Sequence, residues 1–168
     1  KLSAITNYKD RTSCILFGDG AGAAVLEASD EPDTGVGYCN LGIDGVGAEQ
    51  MIVYGGGTKH PVTHESLDQA ANKMVIRGRE VYRFAVEKMQ YLVRDAMEKC
   101  NLSVDDVAMV VPHQVNTRII DSAVGRLGFP AEKIYLNIQR YGNTSAASVP
   151  IALAEARSDG DIRDGDTA

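Results

Sequence analysis

Two residues have types and settings that could do chemistry. His113 closes the run "VAMVVPH", and Asn143 sits in "RYGNTSAAS", just past "EKIYLNI". A neutral imidazole donates one hydrogen bond and a carboxamide donates two. At neighbouring strand ends, such a pair could hold a carbonyl oxygen as it gains negative charge, which is an oxyanion or enolate site. The small residues Ser145, Ala146 and Ala147 would let the chain approach a ligand or a sheet closely. An ordinary reading stays open beside this one: a hydrogen-bonded loop histidine, and an asparagine that serves a turn or a cap. Spacing alone favours the ordinary reading.

The elements that would position the pair are legible as periodicities. From Arg79 to Cys100, apolar residues Val81, Phe84, Ala85, Met89, Leu92, Val93, Ala96 and Cys100 recur at three- and four-residue steps. That spacing predicts an amphipathic helix, with Asn101 as its stop. "VAMVV" reads as a buried strand ending at Pro112. Ile119, Ile120, Ala123, Val124 and Leu127 form the next helix face, closed by Gly128 and Pro130. "EKIYLNI" reads as a strand. "NTSAASVPIALAEARSDG" reads as a helix stopped by Gly160, with Pro150 in its first turn or at a kink. Helix, strand, helix, strand, helix indicates α/β layering, in which sites lie beyond the carboxyl ends of strands. Upstream, Cys14–Phe17 and Ala23–Leu26 are expected as strands flanking a glycine turn. Residues 29–75, with "DEPDTG" and "YGGGTKHP", suggest β-hairpins and a long loop.

Composition narrows the function classes. The chain has 168 residues, 44% hydrophobic, which is enough for one globular domain with a core. Its net charge of -6 argues against nucleic acid as the main partner. No apolar run approaches the ~20 residues of a membrane span, and "KLSAITNYKD" has no secretory pattern. Cys14, Cys39 and Cys100 are widely spaced, without a CxxC, so a reducing cytoplasm is the expected setting. The chain begins at Lys1, and its acidic "SDGDIRDGDTA" resembles a turn that feeds another strand. A piece of a longer protein is therefore expected.

Three motifs together carry a family resemblance. "DRTSCILFGDGAGAAVL", "VPHQVNTRII" and "RYGNTSAASVPIAL" resemble β-ketoacyl-acyl carrier protein synthase III, a thiolase-superfamily condensing enzyme that initiates type II fatty acid synthesis. The motifs span Asp10 to Leu153. The resemblance implies a thiolase-like layered αβαβα fold, of which this chain is mainly the C-terminal half. Residues 1–28 would end the N-terminal half, 29–75 would connect, and 76–168 would form the C-terminal half short of its last strands. The family's Cys-His-Asn triad puts its histidine on His113 and its asparagine on Asn143. By resemblance, these two hold the thioester carbonyl of malonyl-acyl carrier protein and stabilise the enolate formed on loss of carbon dioxide. That carbanion then attacks an acetyl group, brought by acetyl-CoA, on the cysteine.

The same resemblance implies that Arg11 contacts the coenzyme A nucleotide and that Asn116 lines the pantetheine tunnel. It implies that Arg83, Arg118 and Arg126 dock the acidic carrier protein, although each could equally be a solvated surface arginine. The substrates are thioesters, and no metal or separate cofactor is expected. Whole enzymes of the family are homodimers. Cys14, Cys39 and Cys100 do not match the family's nucleophile, which begins a buried helix in the N-terminal half. The chain alone is therefore expected to be inactive. Two alternatives stand: a related condensing enzyme of polyketide or quinolone biosynthesis, and a non-catalytic partner half.

Other signals lead elsewhere. Gly18–Ala23 fits the GxGxxA dinucleotide fingerprint, but Pro32 leaves no room for the helix it needs, so a close-packed glycine turn is expected, with Asp19 accepting backbone hydrogen bonds within it. His60 and His64 have zinc-helix spacing, but Pro61 lies between them, so a surface loop is expected. Arg77, Arg79 and Arg83 could form a phosphate patch or simply the wet face of a helix start.

Overall fold

A computed structural model describes residues 1–32 and 34–168. Its longest element is helix α2, Gly78–Cys100. Asn101 ends it in the left-handed conformation (φ 54°), and the Leu102 N–H reaches back to the Met97 carbonyl at 2.8 Å. This 6→1 bond satisfies a carbonyl that the helix end would orphan. Helix α3, Thr117–Val124, packs across α2 and runs on into a 3-10 turn, Gly125–Leu127. Between them, Tyr82 and Ser122 share a hydroxyl bond of 2.8 Å, and Gln90 Nε2 donates to the Ser122 carbonyl at 3.0 Å.

The core-facing stripe of α2 is Ala85, Val86, Met89, Val93 and Met97, set against Ile119, Ile120, Ala123 and Val124 of α3. The sequence periodicity expects Phe84 and Leu92 on this stripe, but they are 42% and 45% exposed. The apolar surface of α2 is wider than the face α3 covers.

Two extended segments run between the helix layers. They meet in one parallel bridge, with Val110 donating to the Lys133 carbonyl at 2.7 Å and Tyr135 donating to the Val110 carbonyl at 3.0 Å. Their side chains alternate. Val110, Ile134 and Leu136 pack with the α2–α3 cluster, whereas Met109, Val111 and Tyr135 pack with Ala152 and Ala156 of helix α5, Ser148–Asp159. A layer apolar on both faces is what an α/β sandwich requires. Ser148, Ala152 and Ala156, at four-residue steps, form the buried stripe of α5, and their small size lets that helix sit close. Pro150 lies in the first turn of α5, as expected, where its missing N–H costs nothing.

The expected strands are therefore present as extended chain, but not as ladders. Parallel strands form a run of evenly spaced bonds to a neighbour, whereas these two segments pair at one bridge, and the first adds a bond from the Ala108 N–H to the Thr167 carbonyl at 2.9 Å. Similarly, Phe17 forms a single parallel bridge to Asn143, after turns over residues 11–16 instead of a strand from Cys14. Ala23–Leu26 pairs with nothing among the described residues, and Val25 and Leu26 are 92% and 84% exposed.

In residues 29–75 one wide hairpin forms. Strand β1, Met51–Val53, pairs antiparallel with β2, Met74–Ile76, in register Ile52↔Val75. Between them lies a five-residue helix α1, His64–Asp68, opened by a Thr63/Ser66 capping box. It is too short to show a helical period. A one-turn helix α4, Ile138–Tyr141, links the second extended segment to Asn143.

Candidate active site

His113 is held by the start of α5. Its Nδ1 lies 2.6 Å from Ser148 Oγ, and the same oxygen accepts the Gln114 N–H at 3.1 Å. Partial burial pushes the imidazole below its ordinary value of 6.5, with the Ser145 backbone acting in the other direction. The ring is therefore neutral at pH 7, and a neutral imidazole still donates one hydrogen bond.

Gln114 anchors this segment. It is 1% exposed. Its Nε2 donates to the carbonyls of Pro112 and Tyr135 at 3.0 and 3.1 Å, and its Oε1 accepts the Asn137 N–H at 3.0 Å. Both ends of its amide are occupied within the protein, so its role is to clamp the two extended segments beside His113. Asn137 continues the clamp to Glu155 of α5 at 2.7 Å.

Asn143 reaches the same turn from the next segment. Its Oδ1 accepts the Ser145 N–H at 2.9 Å. Among the described residues its Nδ2 meets no hydrogen-bond partner, and it is not among the side-chain atoms sealed from solvent. A carboxamide with its oxygen occupied and its nitrogen open presents donors only. Two backbone features make this placement possible. Gly142 sits at φ 67°, ψ -164°, a region essentially restricted to glycine. Ser145 is left-handed at φ 57°. The 3-10 turn Ser145–Ala147 thus receives Asn143 at its start and His113 at its end, through Ser148.

The glycine motif lies against this turn. A Cβ on Gly18 would stand 1.9 Å from the Tyr141 carbonyl oxygen, and one on Gly22 would stand 2.5 Å from Pro150 Cγ. Gly18, Gly20 and Gly22 carry no positive φ. The motif is therefore extended chain pressed flush onto α4 and α5, where a tight turn is expected from sequence. Glycine is needed for close approach. Asp19 accepts from Ser3, at 2.8 Å for its N–H, instead of from its own turn.

The remaining predicted residues fall into two places. Arg83 of α2 and Arg126 line one groove with Arg79, Tyr82 and Ser122. Arg118 lies at the exposed start of α3, outside that groove, and Arg126 belongs to the 3-10 turn, so the pair does not share one continuous helix. None of these arginines pairs with a carboxylate among the described residues. Asn116 is the N-cap of α3, its Oδ1 accepting the Arg118 N–H at 2.9 Å. Arg11 is exposed in a turn organised by Asp10.

Cys14, Cys39 and Cys100 are free thiols, and none hydrogen-bonds His113 or Asn143. Among the described residues no cluster of metal-ligating side chains forms, and His60 and His64 do not share a helix. Among the described residues no helix is long and apolar enough to cross a membrane. Sequence reasoning missed Gln114 and Ser148. The signals were present in the glutamine of "PHQ" and the last serine of "TSAAS", but neither residue type announces a buried partner.

Helices on both faces of an extended layer, with polar side chains gathered at its carboxyl ends, define a thiolase-like α/β fold. A family model described as 3-oxoacyl-[acyl-carrier-protein] synthase III matches residues 1–45, and its C-terminal counterpart matches 97–168. A β-ketoacyl-[acyl-carrier-protein] synthase III from Roseiflexus castenholzii is 48% identical over 162 residues, covering 96% of this chain and 49% of the relative. The structure of 3-oxoacyl-(acyl carrier protein) synthase III from Pseudomonas aeruginosa PAO1 superposes with TM-score 0.83 at 35% identity, over 98% of this chain and 49% of that one. The priming β-ketosynthase of the R1128 polyketide pathway superposes with TM-score 0.82 at 35% identity, over 98% of this chain and 48% of that one. The chain belongs to the β-ketoacyl-acyl carrier protein synthase III family. It spans about half the length of the curated relatives it matches.

Proposed function

We propose that this chain is the carbonyl-binding half of a condensing enzyme that joins an acyl primer, delivered by coenzyme A, to malonyl-acyl carrier protein. In that reaction the malonyl carboxylate leaves as carbon dioxide, and its bonding electrons pass to the thioester enolate. The enolate carbon attacks the primer's acyl carbon, and the cysteine sulfur departs as thiolate. His113 Nε2 and Asn143 Nδ2 hold the enolate oxygen. The observation that carries this reading is the turn Ser145–Ser148, which anchors both the His113 imidazole, through Nδ1, and the Asn143 carboxamide, through Oδ1. Preorganised donors of this kind act on charge as it develops.

The nucleophilic cysteine lies outside these residues, so the chain alone is inactive. Residues 1–28 close the first half of the fold, 29–75 connect, and 76–168 open the second. Arg11 meets the coenzyme A nucleotide, and Asn116 meets the pantetheine arm. Arg83, Arg118 and Arg126 dock the acidic carrier protein. The substrates are thioesters, with no metal or separate cofactor, and the complete protein works as a cytoplasmic homodimer. The relatives' names and the unpaired state of the arginines support this reading.

A second reading draws on the likeness to the polyketide priming synthase. In it, the same site acts in polyketide or quinolone synthesis, or the chain serves as a non-catalytic partner half. Assay of the complete protein separates these. Condensation with malonyl-acyl carrier protein and an acetyl primer supports the fatty acid reading. Preference for malonyl-CoA supports secondary metabolism, and no condensation supports the partner half.

A further inference from the structure

We propose that Ser148 is a positioning residue that selects the tautomer of His113. Its hydroxyl makes two hydrogen bonds, to His113 Nδ1 at 2.6 Å and to the Gln114 N–H at 3.1 Å. A hydroxyl has one proton and two lone pairs. The Gln114 N–H is a donor and occupies a lone pair. The hydroxyl proton then has one acceptor within reach, His113 Nδ1. With Nδ1 accepting, the ring proton resides on Nε2. The opposite tautomer would turn Nδ1–H toward the same oxygen and leave the Ser148 proton without an acceptor at a residue only 3% exposed.

Ser148 is held firmly enough to make that choice. It opens α5 on the buried stripe with Ala152 and Ala156. Gln114, which supplies the competing N–H, is fixed by its own bonds to Pro112, Tyr135 and Asn137. No charged side chain contributes to the shift of His113, which comes from burial and the Ser145 backbone. The Ser148 hydroxyl is therefore the side-chain group that bonds the ring, at Nδ1, beside the Ser145 backbone. This inference rests on the condensing reading for its purpose, but its geometry does not depend on that reading.

The test uses the complete protein. Nitrogen-15 spectra of its histidines, assigned with His113→Gln, report which ring nitrogen carries the proton. The wild type is expected to show a proton-free Nδ1 and a protonated Nε2. Ser148→Ala is expected to show a mixture, a fall in condensation kcat of about tenfold with little change in KM, and an acid limb moved to higher pH. Ser148→Thr keeps the hydroxyl and is expected to keep the wild-type tautomer and acid limb. A protonated Nδ1 in the wild type overturns the assignment, as does identical behaviour of the alanine and threonine variants. If the complete protein does not condense thioesters, the functional reading fails, and the spectra still decide the role of Ser148.

Discussion

At the scale of residues, the site consists of two donors and the groups that aim them. His113→Ala and Asn143→Ala in the complete protein should each lower condensation by about 10²–10³-fold, the cost of one oxyanion donor. Steady-state kinetics with malonyl-acyl carrier protein checks this. Burial lowers the His113 pKa from its ordinary 6.5. The acid limb of kcat/KM should therefore fall below pH 6.5. The sign for stability is the same. The neutral ring favours the folded state above 6.5, and that contribution is lost as pH falls through the folded value. Arg118→Glu should raise KM for carrier-protein substrate and flatten its dependence on salt, leaving acyl-CoA kinetics alone; equal effects on both substrates would remove docking as its role. His113 and Asn143 could be put forward from the sequence because their side-chain types suit oxyanion donation and follow recognisable runs. Ser148 and Gln114 could not, because their contribution lies in bonds to partners at distant sequence positions, which no local pattern encodes.

At the scale of elements, glycines set the geometry. Gly142→Ala forces a side chain into a glycine-only backbone region immediately before Asn143 and should destabilise the protein by about 1–3 kcal/mol. Gly18→Ala places a methyl within 1.9 Å of the Tyr141 carbonyl oxygen and should cost about 1–3 kcal/mol through overpacking. Gly125→Ala, at φ -60° with open space around it, should be neutral or stabilise by about 0.4–1 kcal/mol. Urea unfolding of the complete protein compares the three. The ends of α2 and the stop of α5 were legible within a residue or two, because a 3.6-residue period and a left-handed stop are local signals; α3 gives way to a 3-10 turn at Gly125, and α5 starts at Ser148, five residues after the expected Asn143. The strands were only partly legible. "VAMVV" and "EKIYLNI" alternate between two apolar clusters as a buried strand should, but pairing is decided by neighbours and not by the segment itself. The glycine motif was read as a close-packed turn; the close packing is present but the chain there is extended, for a related reason. Glycine's tolerance of a tight turn and its tolerance of close contact look the same in sequence.

At the scale of the whole molecule, the described residues leave much apolar surface uncovered. Ile15, Val25, Leu26, Leu41, Ile43 and Val46 are each at least 82% exposed, all within residues 15–46. Burying such a side chain gains roughly 1.5–3 kcal/mol, so a segment this apolar belongs against another surface. That fits a chain spanning about half the length of its relatives. This 168-residue chain on its own should bind a hydrophobic dye and aggregate, and the complete protein should bind no dye and stay a discrete dimer; dye fluorescence with light scattering checks both. The central claim is that His113 and Asn143 stabilise an enolate. It is tested most directly by carbon dioxide release from malonyl-acyl carrier protein on the complete protein and on its His113→Ala and Asn143→Ala variants, alongside primer loading from acetyl-CoA. Release should fall by about 10²–10³-fold in both variants, with primer loading retained. Release at the wild-type rate in either variant would contradict the account.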